Sequence, residues 1–328
     1  MGKKLEDVIK NVEKSFGTGI VRHMEEYVDI PRISSGSIAL DAALGGGYPE
    51  GRVVEIYGAE SSGKTTAALH LAVQVQKLGK VVLYFDYENA IDPEYCEAIG
   101  LDLSREKFRI SNPSTTEDGF EIIRAFLEVD DIGLIVVDSV AAMVPRAELN
   151  GDFGDSKMGL QARAMSQSLR MLTRSISTSN AIVVFINQTR DKIGVVFGDP
   201  STTTGGNALK FYASQRLEVK KAGGEKDKDG EFTSILSKIT IKKNKVAPPM
   251  RKCEVPILFG IGFDRVGEVI SLAVAEGIIA KSGSWYSYDT TKLGQGTDSV
   301  RSILDDNPEL FEEIEKKVRI NLGLNHEN

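Results

Sequence analysis

Two hydrophobic patterns alternate along this chain. Short apolar, β-branched runs at 52–57, 81–86, 134–138 and 181–187 read as buried strands. Between them lie stretches with helical spacing at 67–76, 93–99, 116–129 and 160–175. Strands that alternate with helices predict an α/β fold with a mostly parallel central sheet covered on both faces. Runs at 217–220 and 237–242 predict later strands, joined by a polar hairpin at 222–230. After about Gly262 the pattern changes. A helix over 266–274, a short aromatic strand over 285–288 and a charged helix over 307–319 predict a small separate α/β lobe.

Ahead of all this, residues 3–16 form an amphipathic pattern with Leu5, Val8, Ile9, Val12 and Phe16 on one face, stopped by Gly17-Thr18-Gly19. Such a helix is either a packed terminus or an arm that docks on a neighbouring subunit, and periodicity alone favours the first. The pattern thus divides the chain into 1–30, 31–262 and 263–328.

Composition narrows the class. The chain has 328 residues, 41% apolar and 27% charged, as in an ordinary globular protein of about two domains. Cys96 and Cys253 are too few for a disulfide framework, and three histidines make a zinc site a poor expectation; a reducing cytoplasm fits. No leading apolar stretch resembles a signal peptide. The best apolar run, 134–144, is short and carries Asp138, so no membrane span is expected. A net charge of −7 argues against a uniformly basic nucleic-acid binder, though a local basic face supplies phosphate contacts whatever the total.

The chemistry centres on Gly58-Ala59-Glu60-Ser61-Ser62-Gly63-Lys64-Thr65-Thr66, which fits G-x-x-x-x-G-K-[ST] between a predicted strand and a predicted helix. Glycines let backbone N–H groups turn inward, and the helix N-terminus adds partial positive charge. Lys64 then reaches the β- and γ-phosphates of ATP, and the Thr65 hydroxyl ligates Mg²⁺. Asp138 closes the strand over 134–138, where a second acid would hold the Mg²⁺. Glu88 follows the strand over 81–86, at the end of a parallel strand where active sites gather, and can polarise the attacking water. A solvated loop acid is the plainer alternative. Gln188 follows the strand over 181–187, placed to sense the γ-phosphate.

Two long loops, 150–159 and 193–206, follow the third and fourth strands, and long structureless loops in compact domains are usually functional. Around them lie Lys157, Arg163, Arg170, Arg174, Arg190, Lys192 and Lys210. Gly194, Gly205 and Gly206 permit close approach to a phosphodiester; Thr202, Thr203 and Thr204 can donate to it; Met158 or Phe197 can wedge between bases. Ile193 opens the second loop. Helix-face ion pairs are the alternative use of these cations, and the loops favour nucleic acid. Residues 238–252 carry Lys242, Lys243, Lys245, Arg251 and Lys252 without an acid. This run is either a solvated face or a set of cations offered to ATP on a neighbour.

Four stretches together, Gly58–Thr66, 134–142, 154–160 and 202–212, resemble the RecA family of bacterial recombinases, and the resemblance runs from the leading helix to about Arg319. It implies a RecA-type P-loop ATPase core with an N-terminal helical arm and a small C-terminal lobe. It implies an ATP-dependent filament of this chain on single-stranded DNA that pairs homologous double-stranded DNA, exchanges strands and promotes self-cleavage of a LexA-like repressor in the SOS response. By the family pattern Glu88 is the catalytic carboxylate and Gln188 the γ-phosphate sensor. Asp92 and Tyr95 contact adenine. Residues 150–158 and 193–204 are the DNA-binding loops, with Arg163 and Arg170 close by and Asn207 just beyond in the fourth stretch. Lys243 and Lys245 cross to the neighbour's ATP, Lys210 and Phe211 sit at that interface, and the helix ending in Phe16 is the polymerisation arm.

The sequence departs from the pattern at Ala59, where the family has proline, at Asn89, where histidine follows the acid, and at Phe259, where tyrosine stands near the base. The tail over 321–328 lacks the long acidic extension, which puts restraint of duplex binding in doubt. A ring-forming motor of the same ATPase class, a nucleotide-dependent scaffold without DNA and, less well, a small-molecule kinase are the competing classes.

Overall fold

The structure, a computed structural model, describes residues 4–21, 30–152, 159–191 and 201–324. It comprises two compact units, Met1–Pro31 and Arg32–Asn328. In the first, α1 (Leu5–Phe16) has Glu6 and Asp7 in its first turn and Lys14 in its last, the arrangement a helix dipole favours. None of its residues is buried, and Leu5 and Phe16 are each 74% exposed.

The second unit begins with β1 (Arg32–Ile33) and α2 (Ile38–Leu44), whose Ser37 cap accepts from the Leu40 N–H. There follow β2 (Tyr48–Pro49), β3 (Val53–Gly58), α3 (Lys64–Lys77), β4 (Val81–Asp86), α4 (Pro93–Ala98), β5 (Phe108–Ser111), α5 (Thr116–Phe126), β6 (Ile132–Asp138), α6 (Arg146–Leu149), α7 (Leu160–Thr178) and β7 (Ile182–Asp191). Then come β8 (Ser201–Thr203), α8 (Ala208–Tyr212), β9 (Gln215–Gly223), β10 (Ser234–Asn244), β11 (Lys252–Leu258) and β12 (Gly262–Phe263). The central sheet runs β12-β11-β10-β9-β3-β7-β6-β4-β5. From β9 to β5 every pairing is parallel, and the edge from β9 to β12 is antiparallel.

The predicted mostly parallel sheet follows from alternation along its strands. Val54, Ile56, Tyr84, Val136 and Val184 face one core with Leu69, Leu71 and Ala72 of α3. Val53, Leu83, Phe85, Val137 and Phe185 face the other with Phe120 of α5 and Leu169 and Leu172 of α7. Each fully buried aliphatic or aromatic side chain here contributes about 1.5–3 kcal/mol.

The C-terminal lobe holds α9 (Arg265–Ala275), β13 (Ile279–Ser282), β14 (Trp285–Tyr288), β15 (Thr291–Gln295), α10 (Thr297–Asp306) and α11 (Pro308–Asn321), with an antiparallel sheet β13-β14-β15. It is tied to the core rather than detached. Glu268 of α9 accepts from the Ser37 hydroxyl and from the Ile38 and Ala39 N–H groups at 3.0 and 3.1 Å, so it caps α2, and Ile38 packs into the lobe's own core. The loop expected over 193–206 also contains a strand. β7 runs on past the sheet to Asp191, and Ser201–Thr203 pairs back on it antiparallel.

Candidate functional site

The register of the parallel strands brings the site together. Gly58 pairs with Gln188 across β3 and β7, and Asp86 pairs with Asp138 across β4 and β6. Gly58, Asp86 and Asp138 end their strands, and Gln188, expected just after its strand, stands inside β7 at its last pairing with β3, so all four lie along the carboxyl edge of the parallel sheet, where open α/β sheets bind ligands.

Gly58 can only be glycine, because a Cβ there would lie 2.0 Å from the Val219 carbonyl oxygen. Gly63 caps α3 at φ +96°, a left-handed conformation that favours glycine. The intervening loop is braced from below. The Ser62 hydroxyl donates to the Ala59 carbonyl at 2.8 Å, and Ser237 of β10 donates to the Ser62 carbonyl at 2.7 Å. Ala59, Glu60 and Ser61 are exposed around it. Lys64 is buried, and its Nζ donates to the Ala59 carbonyl at 2.6 Å. Burial holds its pKa below the ordinary lysine value, against the opposing pull of Asp138, Glu88 and Glu60. The cradle therefore places a desolvated cation beside free N–H groups at a helix start, the chemistry that takes a phosphate.

Asp138 gathers the hydroxyls around it. Thr65 Oγ1 donates to its Oδ2 at 2.8 Å, and the buried Tyr84 hydroxyl donates to the same oxygen at 2.7 Å. Desolvation raises the Asp138 pKa, while these two donors and Lys64 oppose the rise. A cavity of about 60 Å³ is lined by Thr65, Tyr84, Asp86, Glu88, Ala90, Ile91 and Asp138. A hydroxyl and a carboxylate are the hard oxygen donors that suit Mg²⁺, which takes one or two protein ligands together with phosphate. Among the described residues no cluster of three His, Cys, Asp or Glu forms a closed metal cage. The residues present therefore fit Mg²⁺ bound with a nucleotide.

Glu88 sits exposed at the rim of this cavity. Its Oε1 accepts from Ser139 Oγ and from Gln188 Nε2, the latter at 3.3 Å. Its loop is pinned by Asp86, which accepts from the Ala90 and Ile91 N–H groups at 3.2 Å. Asp92 caps α4, accepting from the Glu94 and Tyr95 N–H groups, and the Tyr95 hydroxyl lies 3.0 Å from Thr66 Oγ1. That pair brings Tyr95 beside the phosphate loop.

Beyond Gln188 the structure is a buried polar bridge. Asn187 Oδ1 accepts from the Gln188 N–H at 2.9 Å and from the Thr204 hydroxyl. Asn187 Nδ2 donates to the Thr204 carbonyl and to Glu55 Oε1, both at 3.0 Å, and Arg216 pairs with the other Glu55 oxygen while lying over the Tyr57 ring. Thr203 is buried, and Gly205 and Gly206 lie close against Met165 and Ala162 of α7. Thr203, Thr204 and Gly205 are thus packed into the protein, whereas Gly206 and Asn207 are exposed and Thr202 is half-buried. Arg163, Arg170 and Arg174 are exposed along α7. Lys157, Met158, Lys192, Ile193, Gly194 and Phe197 lie outside the described residues.

Lys243 does not stand free on its strand. Its Nζ donates to the carbonyls of Lys210 and Phe211 at 2.7 and 3.0 Å, at the end of α8, and the Phe211 side chain is 72% exposed. Lys245 is exposed beside it. Two further cavities lie away from this chemistry. One of about 650 Å³ opens among α2, β11 and the lobe, and one of about 620 Å³ lies between α5 and α7. Tyr84, Ser139 and the Glu55–Asn187–Arg216 bridge escape the sequence reading. Only Ser139, adjacent to Asp138, carries a positional signal.

Comparison with known proteins accords with this geometry. The family model described as RecA N-terminal domain matches residues 3–264, and that described as RecA C-terminal domain matches residues 267–323. Protein RecA of Macrococcus caseolyticus strain JCSC5402 is 51% identical over 326 residues, covering 98% of this chain and 91% of that protein. Protein RecA of Staphylococcus aureus strain JH9 is 50% identical over 326 residues, covering 98% and 93%.

Proposed function

The chain belongs to the RecA family, and from that premise we propose how its site couples ATP to DNA. The family's recombinases bind ATP and DNA and hydrolyse ATP in a DNA-dependent way, in recombination and repair. On our reading this chain assembles as a helical filament on single-stranded DNA, pairs it with homologous duplex and exchanges strands. It also promotes self-cleavage of a LexA-like repressor, and it works in the cytoplasm. Residues 1–30 serve as the polymerisation arm, 31–262 as the ATPase core and 263–328 as the small lobe.

The single observation that carries the reading is the pair of donors on Glu88. Ser139 and Gln188 both hold Oε1. That leaves the carboxylate oriented to accept a proton from a water beside the γ-phosphate, a role general bases fill with about 10²–10⁴-fold effect. Lys64 and the N–H groups of Gly58–Thr65 hold the phosphates, and Tyr95 and Asp92 flank the adenine. Thr65 and Asp138 would hold Mg²⁺, which when bound neutralises the phosphate charge. Gln188 would report the γ-phosphate through Asn187 to Thr204, and so to the DNA segment it anchors. Arg163 and Arg170 would contact the DNA backbone with the two loops. Lys243 and Lys245 would approach the ATP of the neighbouring subunit past Lys210 and Phe211.

ATP turnover measured with and without single-stranded DNA tests the reading. Stimulation by DNA is the expected result, and turnover indifferent to DNA contradicts it.

A further inference from the structure

We propose that Tyr84 is a positioning residue for the metal side of the site. It would hold the Asp138 carboxylate in the one orientation in which Oδ1 is offered to the cavity. The inference rests on the nucleotide-and-Mg²⁺ reading of that cavity.

Tyr84 lies in the middle of β4, paired with Val136 of β6, and is 1% exposed. It shares this core with Val54, Ile56, Val136 and Val184, and its ring lies 6.1 Å from that of Phe108. Phenylalanine would fill the same space. The hydroxyl therefore does no packing work that a ring alone would not do. A buried phenol needs a partner, and here the partner is Asp138 Oδ2 at 2.7 Å.

Thr65 donates to the same oxygen at 2.8 Å. A threonine hydroxyl has one proton and two lone pairs, so Thr65 can keep this bond while offering a lone pair to a cation. Tyr84 reaches Asp138 from the strand side and Thr65 from the helix side. With both donors on Oδ2 the carboxylate is fixed between α3 and β4, and its other oxygen is left for the cavity that Asp138 lines. Mg²⁺ demands near-ideal octahedral oxygen geometry, and loss of a partner that orients a ligand typically costs 10–100-fold in metal affinity. The cavity also has Tyr84 in its wall, so the donor is part of the site rather than a remote brace.

The test is Tyr84→Phe, which removes one oxygen and leaves the ring. Binding of ADP with a fluorescent ribose label is followed while Mg²⁺ is titrated, and again in EDTA. The expected result is an apparent Mg²⁺ constant raised about tenfold, with binding in EDTA and the melting temperature close to wild type. The same substitution in an Asp138→Asn background is expected to add nothing further, because the effect passes through that carboxylate. An unchanged Mg²⁺ requirement in Tyr84→Phe overturns the proposal, as does a full additional tenfold loss in the Asp138→Asn background. If the wild-type protein fails to bind labelled ADP, or binds it without regard to Mg²⁺, the reading of the cavity itself falls and this inference with it.

Discussion

The side-chain amide of Gln188 donates to Glu88 Oε1 across 3.3 Å. The residue before it, Asn187, holds the Thr204 hydroxyl and carbonyl. One strand end therefore touches both the acid beside the phosphate cradle and the start of the segment that leads into α8. A γ-phosphate that draws the Gln188 amide toward itself must disturb this arrangement. Coupling energies between sites run to about 1–3 kcal/mol. Gln188→Ala is accordingly expected to lower DNA-stimulated ATP turnover about tenfold or more and to abolish the effect of ATP on DNA affinity, while nucleotide still binds. Fluorescence anisotropy of a labelled oligonucleotide, with ADP and with a non-hydrolysable ATP analogue, reads the loss directly.

His70 gives the fold a pH dependence. It stacks on Phe263 with ring centroids 3.9 Å apart, and its Nε2 accepts the Phe263 N–H at 2.8 Å. Burial, helped by the charge of Lys77, lowers its pKa from 6.5 to about 4. Between these values the unfolded chain takes up a proton that the folded chain refuses. The contribution is full above pH 6.5 and is lost as pH falls toward 4, at most about 3 kcal/mol across the window. Urea unfolding at pH 7, 5.5 and 4.5 is expected to show wild type losing its advantage over His70→Leu as pH falls. A constant difference between the two proteins contradicts the assignment.

The uncovered face of α1 makes assembly testable without touching the nucleotide site. Leu5 and Phe16 are each 74% exposed and Val8 40%. Apolar side chains of this size return about 1.5–3 kcal/mol each when buried. If a second copy covers them, Phe16→Asp shifts the protein toward monomers at micromolar concentration, seen by sedimentation velocity, with the melting temperature nearly unchanged. Assembly equal to wild type removes α1 from the interface.

The site was legible to different depths. Gly58–Thr66 could be read because the whole cradle is contiguous, and strand and helix flank it where phosphate binding requires them. Asp138, Glu88 and Gln188 could be placed because apolar strands announce their own carboxyl ends. Tyr84, in contrast, reads as one more apolar strand residue. Its partner lies 54 positions away, and only the β4–β6 register brings the two together. The Glu55–Asn187–Arg216 bridge spans up to 161 positions and is hidden for the same reason.

The fold shows the same division. Buried parallel strands were plain, but β5 and β11 mix exposed and buried positions at or near the sheet's antiparallel or outer edge and lack a clear apolar run. The basic run over 238–252 reads as either a solvated face or a set of cations offered to ATP on a neighbour. It covers the greater part of β10 and the first residue of β11, and Lys243 in it closes the end of α8. The joint between lobe and core is hidden in the sequence because its parts are far apart in the chain: Glu268 caps a helix 230 residues earlier, and Ile38 of that helix packs into the lobe.

If Glu88 activates water at a nucleotide whose turnover depends on DNA, its loss must show in hydrolysis and not in assembly. The most direct measurement is ATP hydrolysis by wild type and Glu88→Gln, with and without single-stranded DNA, alongside electron microscopy of both proteins. The expected result is strong stimulation of wild type by DNA, and at least about a hundredfold loss in Glu88→Gln while filaments still form. Full activity in Glu88→Gln, or wild-type turnover that DNA does not change, would contradict it.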